Sequence, residues 1–184
     1  MGLISKSKLR SIRENAVRMK SANWLNESIS AKNRLKRFNE VTIFLSHKHD
    51  ETEYLKDAIA FLNSLGVSVY VDWLDEGMPK TTSGLTAQRI KKKIIEMNKF
   101  ILLATEGAIS SKWCNWELGY GDAKKYPINI AVLPVKENIS NYTGSEYLQI
   151  YPYICESDTN IGTFIVKYPD GRVVNLANWL TSNN

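Results

Sequence analysis

Between residues 41 and 133, short apolar runs alternate with segments long enough to be helices, and this feature constrains the fold most strongly. Each run is apolar almost throughout, which is typical of strands buried on both faces of a parallel sheet. Such strands, alternating with helices, build a sheet that is covered by helices on both sides. We therefore predict an α/β domain with strands at 41–45, 67–71, 100–104 and 128–133.

Amphipathic segments between these runs predict three helices. The first extends from about residue 50 to 65 and ends at Gly66. Its predicted buried stripe consists of Leu55, Ala58, Ile59, Leu62 and Leu65. The other two helices are predicted at 85–98 and 110–125. Residues 72–84 are rich in Gly, Pro, Thr and Ser, and they are predicted to form a polar loop after the second strand.

The N-terminal segment is the basic part of the chain. Residues 1–40 hold ten Lys or Arg against three Asp or Glu, whereas the remaining 144 residues hold fourteen against sixteen. Segment 5–37 has helical apolar spacing with a break near 21–26, and we predict an amphipathic helix packed on the domain with a solvated basic face. The same composition leaves open a basic arm that contacts nucleic acid, a membrane surface or a partner subunit.

The tail of the chain follows a different pattern. Residues 164–174 read as a β-hairpin with its turn at 169–171, and residues 177–180 suggest a short closing helix. We therefore divide the chain into a helical extension at 1–39, the α/β domain at 40–156, and a hairpin with a short helix at 157–184, packed on that domain.

Composition also bears on the compartment and on metals. No apolar run reaches the roughly 20 residues of a membrane-spanning helix, and the N-terminus lacks the apolar core of a secretory signal. Cys114 and Cys155 lie far apart without a metal-ligand spacing, so we expect reduced thiols in a cytoplasmic protein. His47 and His49 form a His-x-His pair, but no second Cys or His cluster accompanies them, and we expect no metal site.

The ends of the predicted strands carry the residues suited to a ligand, because open parallel sheets bind ligands outside the carboxyl ends of their strands. Cations and hydroxyls suit a phosphate, aromatic faces suit a planar base, and carboxylates suit ribose hydroxyls, so the set fits a nucleotide. No phosphate loop, GxGxxG motif or GxSxG elbow is present, which excludes the common nucleotidases, dehydrogenases and serine hydrolases. The side chains at these ends are Ser46, Thr81, Thr82, Ser83, Thr105, Ser110, Ser111, Lys48, Lys80, Lys112, Trp73, Trp113, Asp72 and Glu117.

Residues 111–122 place one carboxylate among aromatic side chains. On a helix, Trp113, Trp116, Glu117 and Tyr120 share one face. A carboxylate desolvated there without a partner costs stability or takes a raised pKa. Trp116 and Tyr120 suit core packing, whereas Trp113 and Glu117 lie nearest the strand ends, and we interpret Glu117 as a site residue.

Three segments in order carry a family resemblance: Phe-Leu-Ser-His-Lys-His-Asp-Glu at 44–51, Val-Tyr-Val-Asp at 69–72 followed by Gly77, and Ser-Ser-Lys-Trp-Cys-Asn-Trp-Glu-Leu at 110–118. They resemble the first-strand box, the second-strand Asp with its loop, and the Trp-Cys-x-x-Glu-Leu helix of a TIR (Toll/interleukin-1 receptor) domain. The resemblance covers about residues 40–155 and implies a flavodoxin-like three-layer sandwich. The chain is also similar in size to stand-alone bacterial TIR proteins such as the TIR subunit of Thoeris anti-phage systems.

The resemblance implies an activity, because many TIR domains cleave NAD between nicotinamide and ribose. It implies Glu117 as the catalytic residue and Trp113 as a packing surface for ribose or nicotinamide. The other predicted contacts with NAD are Ser46, His47, Lys48, Asp72, Trp73, Ser83 and Thr105. The product would be ADP-ribose or a cyclic ADP-ribose-type immune signal, with NAD as substrate and no cofactor.

The resemblance also implies partners, namely other copies of the TIR domain and a downstream effector that senses the product; we expect no membrane or nucleic-acid partner. Structural roles stay open for several residues, since Asp72 could hold its own loop, Ser46 could cap the following helix, and Lys48 could be a solvated charge. Two other functions stay open as well. One is a non-enzymatic TIR scaffold acting by domain association, and the other is a nucleoside hydrolase or transferase on a related fold.

Overall fold

The computed structural model describes residues 3–19, 41–75, 77, 83–125, 127–136 and 146–182. The strands are β1 (Ile4–Ser5), β2 (Thr42–Ser46), β3 (Ser68–Tyr70), β4 (Lys99–Ala104), β5 (Ile130–Lys136), β6 (Tyr153–Glu156), β7 (Phe164–Lys167) and β8 (Val173–Asn175). The α-helices are α1 (Lys6–Met19), α2 (Thr52–Ser64), α3 (Gly84–Glu96), α4 (Glu106–Ser110), α5 (Lys112–Lys124) and α6 (Leu176–Thr181). Short 3-10 helices occupy Asp72–Leu74, Pro127–Asn129 and Glu146–Ile150.

Within the described residues, eight strands form one sheet in the order β3-β2-β4-β5-β6-β7-β8, with β1 paired to β5. The pairs from β3 through β6 are parallel, and so is the pair of β1 with β5. The pairs of β6 with β7 and of β7 with β8 are antiparallel. The predicted α/β fold with a central parallel sheet is therefore confirmed, and the predicted C-terminal hairpin forms an antiparallel extension of that sheet.

Side chains of the central strands alternate between two apolar cores, one on each face of the sheet. On β2, Ile43 and Leu45 belong to one core, whereas Phe44 belongs to the other. The first core includes residues of α1, α2 and α6, and the second includes residues of α3, α4 and α5. Helices therefore cover both faces, as the three-layer sandwich requires.

The helix α1 packs on the domain, as the amphipathic interpretation predicts for this part of the basic segment. Leu9 is fully buried in the first core, and Ile12 packs against that core. Arg13 Nε lies 2.9 Å from Oδ1 of Asp57, a buried residue of α2. The rest of the predicted N-terminal helix, with its break near 21–26, lies outside the described residues.

Two strands, the short helix α4 and one helix boundary differ from the prediction. The strands β1 and β6 were not predicted, because β1 has only two residues and the apolar run that contains β6 is interrupted by Pro152. The predicted helix at 110–125 is wrong at its start, since α4 ends at Ser110 and α5 begins at Lys112. Ser111 stands between them in an extended conformation. In the described part of the chain, no helix combines the length and apolarity needed to span a membrane.

Candidate active site

Glu117 lies on α5, and its carboxyl is buried against the end of β2. Ser46, the last residue of β2, donates a hydrogen bond from Oγ to Glu117 Oε2 over 2.6 Å. Only 2% of Glu117 and 1% of Ser46 is exposed. Ser46 is not the cap of α2, whose N-cap position is held by Glu51. The Ser46 hydroxyl instead positions the Glu117 carboxyl on α5.

The surroundings of Glu117 favour its protonated form. Burial raises the pKa of Glu117 to about 8, and the negative charge of Asp72 acts in the same direction. The hydrogen bond from Ser46 and the nearby His49 act the other way, but they do not outweigh the burial. A carboxyl that ionises slightly above neutral pH at the end of a parallel strand has the character of a functional group rather than of a solvated surface charge.

Two histidines and an aspartate lie beside this carboxyl. His49 Nε2 lies 3.0 Å from Asp72 Oδ2, and this hydrogen bond raises the pKa of His49. His47 is buried, with Nδ1 3.2 Å from the carbonyl oxygen of Leu45 and 4.0 Å from Asp72 Oδ1. Burial lowers the pKa of His47, so its ring is neutral at pH 7. The three side chains therefore form one contact group around Asp72.

An open pocket of about 280 Å³ lies next to this group. It is lined by His47, Lys48, His49, Asp50, Ser111, Trp113 and Cys114. Glu117 is not among these lining residues, in keeping with its burial. Small-molecule sites commonly measure roughly 300–1,000 Å³, so the pocket is at the lower limit of that range. It has room for part of a dinucleotide rather than for the whole molecule.

Helix caps explain how the chain brings the start of α5 to the pocket. Thr105 accepts a hydrogen bond from the Ala108 backbone N–H at the start of α4, and Ser111 accepts one from the Cys114 N–H at the start of α5. The break at Ser111 therefore begins a second helix, and its first turn places Trp113 and Cys114 in the pocket wall. Cys114 Sγ also donates to the carbonyl oxygen of His47, which ties α5 to the segment after β2.

The aromatic side chains of α5 form a series of ring contacts that begins at the pocket, with a tilted pair followed by a stacked pair. The rings of Trp113 and Trp116 have centroids 5.1 Å apart, and those of Trp116 and Tyr120 are 6.2 Å apart. All three side chains pack against the second core. The buried Trp113 N–H lies beside the Glu117 carboxyl and acts to lower the pKa of that group, although its geometry falls short of a full hydrogen bond among the described residues.

The structure brings most of the predicted site residues together. Ser46 contacts Glu117, and His47 lies near Asp72 at the ends of two adjacent strands. Lys48 lines the pocket and pairs with Asp50 over 3.1 Å at the surface.

Three further predicted residues have other positions. Thr105 caps α4 and donates a short hydrogen bond to Glu51. Ser83 is exposed and forms a capping box with Thr86 at the start of α3. Trp73 belongs to the 3-10 helix after Asp72, and its side chain lies outside the described part of the chain.

Sequence reasoning missed three pocket residues. The pocket contains Ser111, which was among the candidate side chains at the strand ends, and also His49, Asp50 and Cys114, which were not predicted to contact the ligand. These three lie within two residues of a predicted site residue in the sequence. The contact between His49 and Asp72 could not be read there, because it joins two strand ends through the tertiary fold.

Comparison with known proteins identifies the family to which this chain belongs. No family model matches the chain. It is 30% identical over 157 residues, 77% of this chain and 76% of the relative, to the probable 3′ cyclic ADP-D-ribose synthase ThsB′ of Bacillus cereus (strain MSX-D12). The chain belongs to the TIR-domain proteins of the Thoeris type.

Two other relatives match over shorter parts. The putative cyclic ADP-D-ribose synthase TIR2 of Cytobacillus dafuensis is 27% identical over 81 residues, which are 42% of this chain and 21% of the relative. The probable 2′ cyclic ADP-D-ribose synthase TcpO of Methanobrevibacter olleyae is 31% identical over 129 residues, 66% of this chain and 35% of the relative. In this TIR protein the first-strand box contains Ser46, the last residue of β2, and the Trp-Cys-x-x-Glu-Leu segment lies in α5. The two motifs therefore meet in the Ser46–Glu117 hydrogen bond.

Proposed function

We propose that this TIR protein cleaves the bond between nicotinamide and ribose in NAD and joins the ribosyl carbon to a hydroxyl of the same molecule, forming a cyclic ADP-ribose. The observation that carries the proposal is the buried carboxyl of Glu117 beside an open pocket at the strand ends. The relative ThsB′, whose name is probable 3′ cyclic ADP-D-ribose synthase, supports the product class.

The reaction requires a group that stabilises positive charge on a sugar. When the bond between nicotinamide nitrogen and ribose C1′ breaks, its electron pair leaves with nicotinamide, and C1′ becomes oxocarbenium-like. Ionised Glu117 would stabilise this cation across the short distance that a buried site permits. A hydroxyl oxygen of the ADP-ribosyl group then forms the new bond to C1′ and releases its proton. Attack by water instead would give ADP-ribose.

The raised pKa of Glu117 fits this chemistry. The nicotinamide ring of NAD carries a positive charge, and an opposite charge within a few ångströms favours the ionised carboxylate. Bound substrate would therefore draw the proton from Glu117, whose pKa is about 8 without it. In our proposal Ser46 acts as a positioning residue, because its hydroxyl orients the carboxyl over 2.6 Å.

The remaining residues would bind the substrate. Trp113 would pack against the nicotinamide ribose, with its indole N–H beside the Glu117 carboxyl. His47 and Lys48 would face the phosphates, and Asp72 with Trp73 would shape the entrance. The ligand roles of Ser83 and Thr105 stay predictions, and both hydroxyls also serve as helix caps.

The small pocket and the burial of Glu117 mean that NAD must widen the site before it can react. We propose that self-association of TIR domains completes the site, and that a separate effector senses the product in anti-phage defence. The reaction needs NAD as substrate and no bound cofactor, and we place the protein in the cytoplasm, where NAD is available.

Product analysis tests this proposal. Purified protein is incubated with NAD over a range of protein concentrations, and the products are separated by chromatography and identified by mass. We expect equal amounts of nicotinamide and a cyclic ADP-ribose isomer from the wild type, none from Glu117→Ala, and wild-type amounts from Glu106→Gln, a change at an exposed acid on α4.

Other outcomes would identify other functions. Linear ADP-ribose as the sole product would make the protein a hydrolase. Absence of nicotinamide at every protein concentration would favour the non-enzymatic scaffold. Release of free base from nucleosides, with NAD untouched, would favour the nucleoside-processing alternative.

A further inference from the structure

Three side chains at the ends of β2 and β3 form a ligand set for a metal ion. His47, His49 and Asp72 each offer one ligand atom, and these atoms lie within 4.8 Å of one another. The two histidines approach opposite oxygens of the same carboxylate, His49 Nε2 at 3.0 Å from Oδ2 and His47 Nδ1 at 4.0 Å from Oδ1. We propose that this group binds a single Zn²⁺ ion at the wall of the pocket.

The sheet brings the three ligands to one place. The strands β2 and β3 are neighbouring parallel strands, with Phe44 paired to Tyr70. His47 therefore follows the end of β2 at the same edge of the sheet at which Asp72 follows β3. Both side chains are buried, at 5% and 7% exposure, so the packing of the domain holds them in position. His49 is half-exposed and has room to adjust to an ion.

The distances suit a small ion once His47 Nδ1 releases the hydrogen bond that it donates to the Leu45 carbonyl oxygen over 3.2 Å and the side chains rotate. Ligand atoms at about 2.0–2.2 Å from a tetrahedral Zn²⁺ stand roughly 3.3 Å from one another. The separations in this group bracket that value, at 3.0 Å and 4.0 Å for the two histidine–carboxylate pairs and within 4.8 Å overall. Three protein ligands leave a fourth position for water or for an oxygen of a bound substrate.

The chemistry of the ligands selects the ion. Two imidazoles with one carboxylate suit Zn²⁺ and neighbouring first-row ions, whereas Mg²⁺ and Ca²⁺ prefer sites made of oxygen ligands. The sequence spacing alone could not show this set, because Asp72 is distant from the His-x-His pair along the chain. The alternative is an ordinary His49–Asp72 hydrogen bond at a pocket wall that has no affinity for an ion.

Metal binding by the full chain decides between these two. The chain contains two histidines, and both belong to the proposed ligand set, so any histidine tag is removed before metal binding is measured. Protein stripped with a chelator is titrated with Zn²⁺ against a chromophoric indicator, and a parallel sample is titrated with Co²⁺ while its visible absorption is recorded. We expect one ion per chain and a Co²⁺ spectrum of tetrahedral intensity.

The variants locate the ion. His49→Gln and Asp72→Asn should each weaken Zn²⁺ binding at least about tenfold and remove the Co²⁺ bands, since even lesser changes around a metal site cost that much. Asp50→Asn is the matched control, because this exposed acid adjoins His49 in the sequence but pairs with Lys48. This variant should bind Zn²⁺ as tightly as the wild type does. Cys114→Ser, which removes the thiol in the same pocket wall, should also bind normally.

Absence of saturable Zn²⁺ binding by wild-type protein would overturn the proposal. Binding that persists in both His49→Gln and Asp72→Asn, with circular dichroism showing that they are folded, would overturn it as well. Neither result depends on NAD cleavage, because the readout is metal binding alone. The proposed reaction and the proposed ion can therefore fail separately.

Discussion

Replacing Glu117 by Gln should make the protein more stable, by an amount that increases with pH. Glutamine keeps the size of the side chain and an oxygen that can accept the hydrogen bond from Ser46, but it cannot ionise. In the wild type, burial raises the pKa of Glu117 from 4.5 to about 8. At 1.36 kcal/mol for each pKa unit, this shift lowers the free energy of unfolding of the wild type by roughly 5 kcal/mol once the carboxyl has ionised in both the folded and the unfolded state.

The sign follows from proton linkage. Between pH 4.5 and about pH 8 the unfolded chain has lost this proton while the folded chain retains it. The stability that this retained proton gives is therefore complete at low pH and is lost as the pH rises through the folded-state value. From about pH 6 to about pH 9 the wild type should lose about 2.5 kcal/mol relative to Glu117→Gln.

Urea denaturation at several pH values measures this difference. Comparing the variant with the wild type at each pH cancels the contribution of other buried acids such as Asp57, which both proteins share. Glu106→Gln on α4 makes the same chemical change at an exposed position, and it serves as the control for loss of a surface charge. A variant-to-wild-type difference that stays constant with pH would show that Glu117 is not held protonated by its surroundings, and it would refute the reasoning.

Three further substitutions test the packing around the site and the docking of α1. Gly107→Ala on α4 would bring a methyl group against the Glu51 carboxyl and disturb the hydrogen bond that this carboxyl accepts from Thr105. The free energy of unfolding should fall by about 1 kcal/mol. By contrast, the methyl group added by Gly119→Ala on α5 would lie in open space, and this change should stabilise the protein by roughly 0.5–1 kcal/mol. Equal effects of the two glycine substitutions on thermal unfolding would contradict this difference in packing. Arg13→Ala removes the ion pair with the buried Asp57 on α2 and should lower the free energy of unfolding by about 3 kcal/mol in urea denaturation. A loss below about 1 kcal/mol would show that this ion pair does not hold α1 on the domain.

The central fold could be predicted because its strands are continuous apolar runs. Such runs at the positions of β2, β4 and β5 occur where both faces of a sheet are covered, and the structure has cores on both faces. The strand β1 could not be predicted in this way, since two residues show no periodicity. Its pairing depends on β5, more than a hundred residues further along the chain.

The site was partly predictable for a different reason. The rule that ligands bind at strand ends grouped Ser46 with Asp72, because β2 and β3 are parallel neighbours. The partner of Glu117 was not predictable, since the hydrogen bond from Ser46 joins residues 71 positions apart. Hydroxyls at helix starts were ambiguous, because Thr105 suits both a cap and a phosphate contact.

The pH dependence of kcat/KM for nicotinamide release from NAD tests the central claim most directly, since this ratio reports the ionisation of the free enzyme. The account predicts that the wild-type value rises as the pH approaches about 8, where Glu117 ionises. Glu117→Gln should be slower by about 10²–10³-fold and independent of this ionisation, as expected for loss of electrostatic stabilisation. A wild-type rate without this rise, or a Glu117→Gln variant as fast as the wild type, would contradict the assignment of Glu117 as the group that stabilises the ribosyl cation.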